Sequence, residues 1–228
     1  MPRHHVFQAL VTGASSGIGA AIVARLLAQG WHVTGISRTR PAVQDPGYRH
    51  LCLDLATGDA LPSDLPESGF DAFVHAAGGM RAAPLGALEP EASRILWRLH
   101  VEVAERLANQ LAPHMPDGAR IVLIGSRGSM GLPGRSQYGA TKAALVAMAR
   151  AWAQELAPRG ITVNVVAPAA TDTPMLRDPA RSASAPKLPP IGRLIRPEEV
   201  AALTAFLLGP EAGAITGQQI MVCGGASL

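Results

Sequence analysis

The chain has 228 residues, 48% hydrophobic and 16% charged, with 24 Gly and 19 Pro that recur at no fixed interval. These values exclude disordered, collagen-like, propeller and solenoid chains and suit one sizeable globular domain, expected to span 1–228. Net charge is +3, yet the basic residues are scattered singly without zinc spacing or interleaved aromatics, so nucleic acid is not an expected partner.

In chain order, 7–11 is a short apolar run, Thr12 to Gly19 a Gly-rich turn, and 20–29 an apolar helix closed by Gly30. Strands are expected at 31–36 and 49–53, the latter ending at Asp54. The connections around 40–70 are broken by Pro and Gly, so their helices should be short or vestigial, and 70–76 makes a fourth strand. Ile95, Leu96, Leu99, Val103, Leu107 and Leu111 recur at helical spacing, which predicts one long helix over 89–115. Arg120–Ile124 reads as the fifth strand, 138–157 as an Ala-rich helix and 161–166 as the sixth strand. The Pro-rich stretch 174–197 reads as an irregular substrate lid, Pro197–Leu208 as a helix and 218–222 as a seventh strand. Strands alternating with helices imply an α/β, doubly wound, seven-stranded parallel sheet of the Rossmann type.

Cys52 and Cys223 are too few and too distant for a disulfide framework. No apolar stretch reaches the roughly 18 to 20 residues of a membrane span. Met1 to His5 lacks a signal-peptide core, so a cytoplasmic protein without membrane association is expected. No metal site is expected either; adjacent His4 and His5 read as a solvated end.

Three constellations carry chemistry. Gly13, Gly17 and Gly19 lie between a strand and a helix, where missing side chains let a pyrophosphate approach the N–H groups and positive dipole of the helix N-terminus. Tyr138 and Lys142 stand at i and i+4, on one helix face. A phenol with a pKa of about 10 becomes a usable acid–base group beside an ammonium and a helix N-terminus. Lys142 and Lys187 are the two lysines among 20 basic residues, and the pairing of Lys142 with one of two tyrosines argues against accident. Ser126 ends the fifth strand, where parallel sheets place ligands and a hydroxyl can bond a carbonyl oxygen.

With these residues the chain resembles the short-chain dehydrogenase/reductase family along nearly its whole length. The likeness covers Thr12-Gly13-x-x-x-Gly17-Ile18-Gly19, Ala76-Ala77-Gly78, Ile124-Gly125-Ser126, Tyr138-x-x-x-Lys142, Asn164 to Pro168, Thr173, and Thr216-Gly217 with Gly224-Gly225. It implies that Tyr138 exchanges a proton with a carbonyl or alcohol oxygen while a hydride moves to or from nicotinamide, with Ser126 polarising that oxygen. Lys142 would bind the ribose and lower the tyrosine pKa, and Thr173 would hold the cofactor. Asp54 matches a position that receives the adenine amino group. Ser15, Ser16, Leu55, Ala76, Ala77, Gly78, Pro168 and Thr171 complete the implied cofactor contacts. Ser37 stands where NAD readers place a carboxylate, and Arg38 follows it with Arg40 nearby, so NADP(H) is favoured over NAD(H).

The pattern departs at His75, where the family has Asn, and at His100, which aligns with the helical Asn that supports a relay water. His100 reads either as a substitute in that relay, able to titrate, or as a satisfied core residue. Ala169 replaces a glycine and is expected to narrow the nicotinamide pocket; Cys223 replaces an aspartate. The expected activity is hydride transfer between NADP(H) and a ketone or secondary alcohol of small-molecule size. Alternatives are a 3-oxoacyl-carrier-protein reductase type, with Arg127, Arg135 or Arg177 meeting an acidic carrier, an NAD-dependent dehydrogenase of a cyclic diol, or a catalytically weak dinucleotide sensor. Small residues Gly139, Ala143, Ala147 and Ala151 on the Ala-rich helix suit close packing, and the resemblance implies a homodimer or homotetramer.

Overall fold

The computed structural model describes residues 5–57, 65, 69–177 and 187–228. Seven parallel strands form one sheet in the order β3-β2-β1-β4-β5-β6-β7. They are β1 (Gln8–Thr12), β2 (His32–Ser37), β3 (Tyr48–Cys52), β4 (Ala72–His75), β5 (Arg120–Ile124), β6 (Thr162–Pro168) and β7 (Gln219–Val222). The central strands are apolar on both faces, because helices cover both sides of the sheet. On one side α1 (Gly17–Ala28) packs beside α5 (Pro197–Leu208), burying Ile22, Val23 and Leu26 with Val200, Ala201 and Ala205. On the other, α3 (Val103–Leu111) and α4 (Ser136–Leu156) bury Leu107, Leu111, Leu145 and Ala149 against Phe73, Ile121 and Val163.

The chain runs outward from β1 to β3, then returns to the middle and builds β4 to β7 in the other direction. The reversal opens a crevice at the carboxyl ends of β1 and β4, the place where such sheets receive ligands. Thr12 spans it: its hydroxyl accepts the N–H groups of Ala76 at 3.1 Å and Ala77 at 3.0 Å.

The single long helix expected over 89–115 is instead α2 (Pro90–Trp97), a π-helical turn (Arg98–Glu102) and α3. A π turn adds one residue without breaking the apolar stripe, so spacing does not reveal it. Among the described residues no helix lies between β2 and β3, as expected for that Pro-bearing stretch. Much of the β3–β4 connection and residues 178–186 of the expected lid lie outside the described residues. The lid's other parts are a 3-10 turn (Pro174–Arg177) and 187–196, where Arg193 pairs with Glu199 at 2.7 Å and Thr171 bridges Ile195. His5 is exposed, as expected for a solvated end, and its Nε2 lies 2.8 Å from the Asp71 carboxylate. His4 falls outside the described residues. Both cysteines are free thiols, and among the described residues there is neither a cluster of metal ligands nor a helix long and apolar enough to cross a membrane.

Candidate active site

A cleft of about 1180 Å³ lies over the crevice, and every residue singled out for catalysis or cofactor binding lines it, from Gly13 to Thr173. Arg127 and Arg135 line it too, whereas Arg177 turns away to Asp172. The site also includes residues that sequence reasoning did not single out: Met80, Ile95, Leu96 and Met175 supply apolar wall.

The glycine turn has backbone reasons for its composition. Gly13 has φ +69°, and a Cβ there would stand 2.8 Å from the Ala77 nitrogen; a Cβ on Gly19 would stand 2.1 Å from the Gly13 oxygen. Ser16 caps α1 without a side-chain bond, and the first turn carries no acid. Free N–H groups, free hydroxyl and positive dipole therefore converge on one side-chain-free cradle, which suits a pyrophosphate.

At the far end, Ser37 is buried and its hydroxyl donates to the Thr39 carbonyl at 2.9 Å while meeting His50 Nε2 at 2.9 Å. His50 was not expected here; only pairing of β2 with β3 brings it beside Ser37. Arg38 is exposed at the cleft edge, and Asp54 Oδ1 accepts the Ala56 N–H at 2.9 Å.

Ser126 closes β5 in extended conformation, and its Oγ accepts the Gly128 N–H at 2.9 Å, leaving the hydroxyl proton available. Ser126 Oγ and the Tyr138 ring both lie within 3.3 Å of where a Cβ on Gly128 would stand. A side chain at 128 would thus separate them. Tyr138 sits in the first turn of α4, two residues after the helix begins, rather than at its opening. Lys142, one turn on, is buried and donates from Nζ to the Ile124 carbonyl at 2.8 Å. Burial pushes its pKa down to about 7.

His100 is fully buried in the π turn. Its Nε2 accepts the Gly79 N–H at 3.0 Å, so the proton resides on Nδ1 and is given to the Thr141 hydroxyl at 2.8 Å; that hydroxyl donates to the Tyr138 carbonyl at 2.8 Å. Burial, then the charge of Lys142, holds its pKa well below the ordinary range. With both nitrogens engaged, the neutral ring braces the Gly79 loop against α4 through an N–H and a hydroxyl rather than a backbone carbonyl. His75 is its neighbour in charge, pushed down to about 3 by burial, and its Nδ1 meets the Thr12 hydroxyl at 3.0 Å. His75 Nε2 has no hydrogen-bond partner among the described residues.

The comparisons with known proteins agree with this geometry. Residues 55–227 match the family described as "Enoyl-(Acyl carrier protein) reductase", and residues 8–47 match "short chain dehydrogenase". A 3-oxoacyl-[acyl-carrier-protein] reductase of Vibrio cholerae is 35% identical over 236 residues, covering 95% of this chain and 96% of the relative. A cyclic-di-GMP-binding biofilm dispersal mediator protein of Escherichia coli is 35% identical over 223 residues, covering 91% and 92%. Among solved structures, a blue fluorescent protein from a metagenomic library, in complex with NADPH, superposes with a TM-score of 0.85 at 30% identity, covering 97% of this chain and 98% of that one. The chain belongs to the short-chain dehydrogenase/reductase family.

Proposed function

We propose that the protein is an NADP(H)-dependent oxidoreductase interconverting a ketone and a secondary alcohol of a small molecule. The observation that carries this reading is the convergence of Ser126, Tyr138 and Lys142 on one cleft with the glycine cradle. Bound nicotinamide supplies or accepts the hydride. The protein's own part is proton handling and orientation. Ser126 donates its free hydroxyl proton to the substrate oxygen, and Tyr138 gives or takes the proton at that oxygen. Lys142 provides the nearby cation that favours the phenolate. Replacing Tyr138 by Phe is expected to lower kcat about a hundredfold or more, with cofactor affinity nearly unchanged; unchanged turnover would refute the assignment.

Arg38 at the cleft edge and the hydroxyl of Ser37, where a carboxylate would repel a 2′-phosphate, support NADP(H). The NADPH carried by the metagenomic neighbour points the same way. Quenching of tryptophan fluorescence should show tighter binding of NADPH than of NADH, and Arg38→Ala should remove most of the difference; tighter NADH binding would reverse the assignment. The name of the E. coli relative supports a second reading, a cyclic-dinucleotide-binding regulator. The three intact catalytic side chains disfavour it, and the Tyr138→Phe assay separates the two.

A further inference from the structure

Among the described residues the cleft is lined by six basic side chains, Arg38, Arg81, Arg127, Arg135, Lys142 and Lys187, and by a single acid, Asp54. Arg38 and Asp54 stand at the ends of β2 and β3, and Lys142 lies buried beneath the tyrosine. The other four line the cleft from segments near the catalytic side chains and the lid. Arg81 follows Met80, which packs with Leu96 on Tyr138; Arg127 directly follows Ser126; Arg135 caps the start of α4; Lys187 enters from the lid segment. We propose that the substrate is an anion, a carbonyl compound or alcohol carrying a carboxylate or phosphate group that Arg127 grips within this cationic mouth. The inference rests on the oxidoreductase reading above.

Arg127 carries the argument. It is half-buried and has no hydrogen bond or ion pair among the described residues. The wall around the mouth is otherwise largely apolar, with Leu96, Leu132, Met175 and Leu176. A guanidinium in such a place gives up hydration without a counter-charge among the described residues, at a considerable cost. Acids that might have served are committed elsewhere: Asp172 to Arg177, Glu91 to Arg94 and Glu199 to Arg193. The whole chain is nearly balanced, with 20 basic and 17 acidic side chains, so this one-sided rim departs from the surface average. A ligand bringing a carboxylate or phosphate restores the balance, and the planar fork of Arg127 suits either group through two parallel hydrogen bonds.

The test uses matched pairs, acetoacetate against ethyl acetoacetate and dihydroxyacetone phosphate against dihydroxyacetone, with saturating reduced cofactor. In at least one pair kcat/KM should favour the anion about tenfold or more, the worth of one charge-assisted contact. Arg127→Gln should bring that ratio close to one, and Arg127→Lys should keep part of it. Which pair responds tells a carboxylate reader from a phosphate reader. Calorimetric titration of the same four compounds into protein saturated with oxidised cofactor, where no hydride can move to a ketone, reads binding without turnover. Tighter binding of an anion that is lost in Arg127→Gln supports the inference even when none of the four is reduced, an outcome that would count against these ketones as substrates and leave the anion grip standing. Equal binding of charged and neutral partners, or a preference that survives Arg127→Gln, overturns it.

Discussion

The amine of Lys142 occupies a position that disfavours its own charge. It is buried, bonded to a single carbonyl, and has its pKa lowered from 10.5 to about 7. Below pH 7 both folded and unfolded chains hold the ammonium, and the folded chain bears the full cost of burying it. Between about 7 and 10.5 the folded chain has released a proton that the unfolded chain retains, so the free protein gains stability as pH rises across that window. Dinucleotide phosphates favour the charged form again. Cofactor binding at pH 8 should therefore take up protons, approaching about one per site. Calorimetry in buffers of different ionisation heat would show this as a buffer-dependent enthalpy, absent in Lys142→Met. The sequence singles this lysine out, since it is one of two and stands four residues after Tyr138. Its near-neutral state was not, because burial is a property of the assembled sheet. The same holds for His100: its alignment with a relay position invited a titrating role, while its two partners, Gly79 and Thr141, come from distant stretches of chain.

Among the elements, the turn between β1 and α1 and the π turn before α3 show opposite degrees of legibility. Three glycines between an apolar strand and a helix announce a backbone that must approach itself closely, and the 2.1 Å at which a Cβ on Gly19 would stand from the Gly13 oxygen fits that reading. Gly19→Ala forces the turn to open and should weaken cofactor binding about tenfold or more, read by fluorescence titration with unchanged circular dichroism. The π turn leaves no such mark. Leu99 and Val103 keep a four-residue spacing across it, and only the burial of both His100 and Val101 records the extra residue. Strand positions were legible within a residue or two, most firmly for the central strands, whose apolar runs are buried on both faces.

At the scale of the whole molecule, α4 divides its small residues between two tasks. Gly139 faces inward, where a Cβ would meet the Gly128 oxygen at 2.8 Å, whereas Ala143, Ala147 and Ala151 are exposed along the outer face. The outward stripe is where the homodimer or homotetramer implied by the resemblance would pair, since small side chains let a second helix approach. Ala147→Glu should lower the mass measured by light scattering to that of one chain, with the cofactor cradle intact. Spacing groups Gly139 with the stripe; its neighbour across the loop, Gly128, separates it. The reversal of strand order between β3 and β4 has a consequence for heredity. The glycine turn, Ser37, Arg38 and Asp54, which line the proposed adenosine end, are written in the first quarter of the chain, whereas Ser126, Tyr138 and Lys142 are written after β4. Coenzyme choice and substrate choice can thus drift or recombine as separate cassettes, joined at the crevice by the hydroxyl of Thr12 and the pairing of two strands.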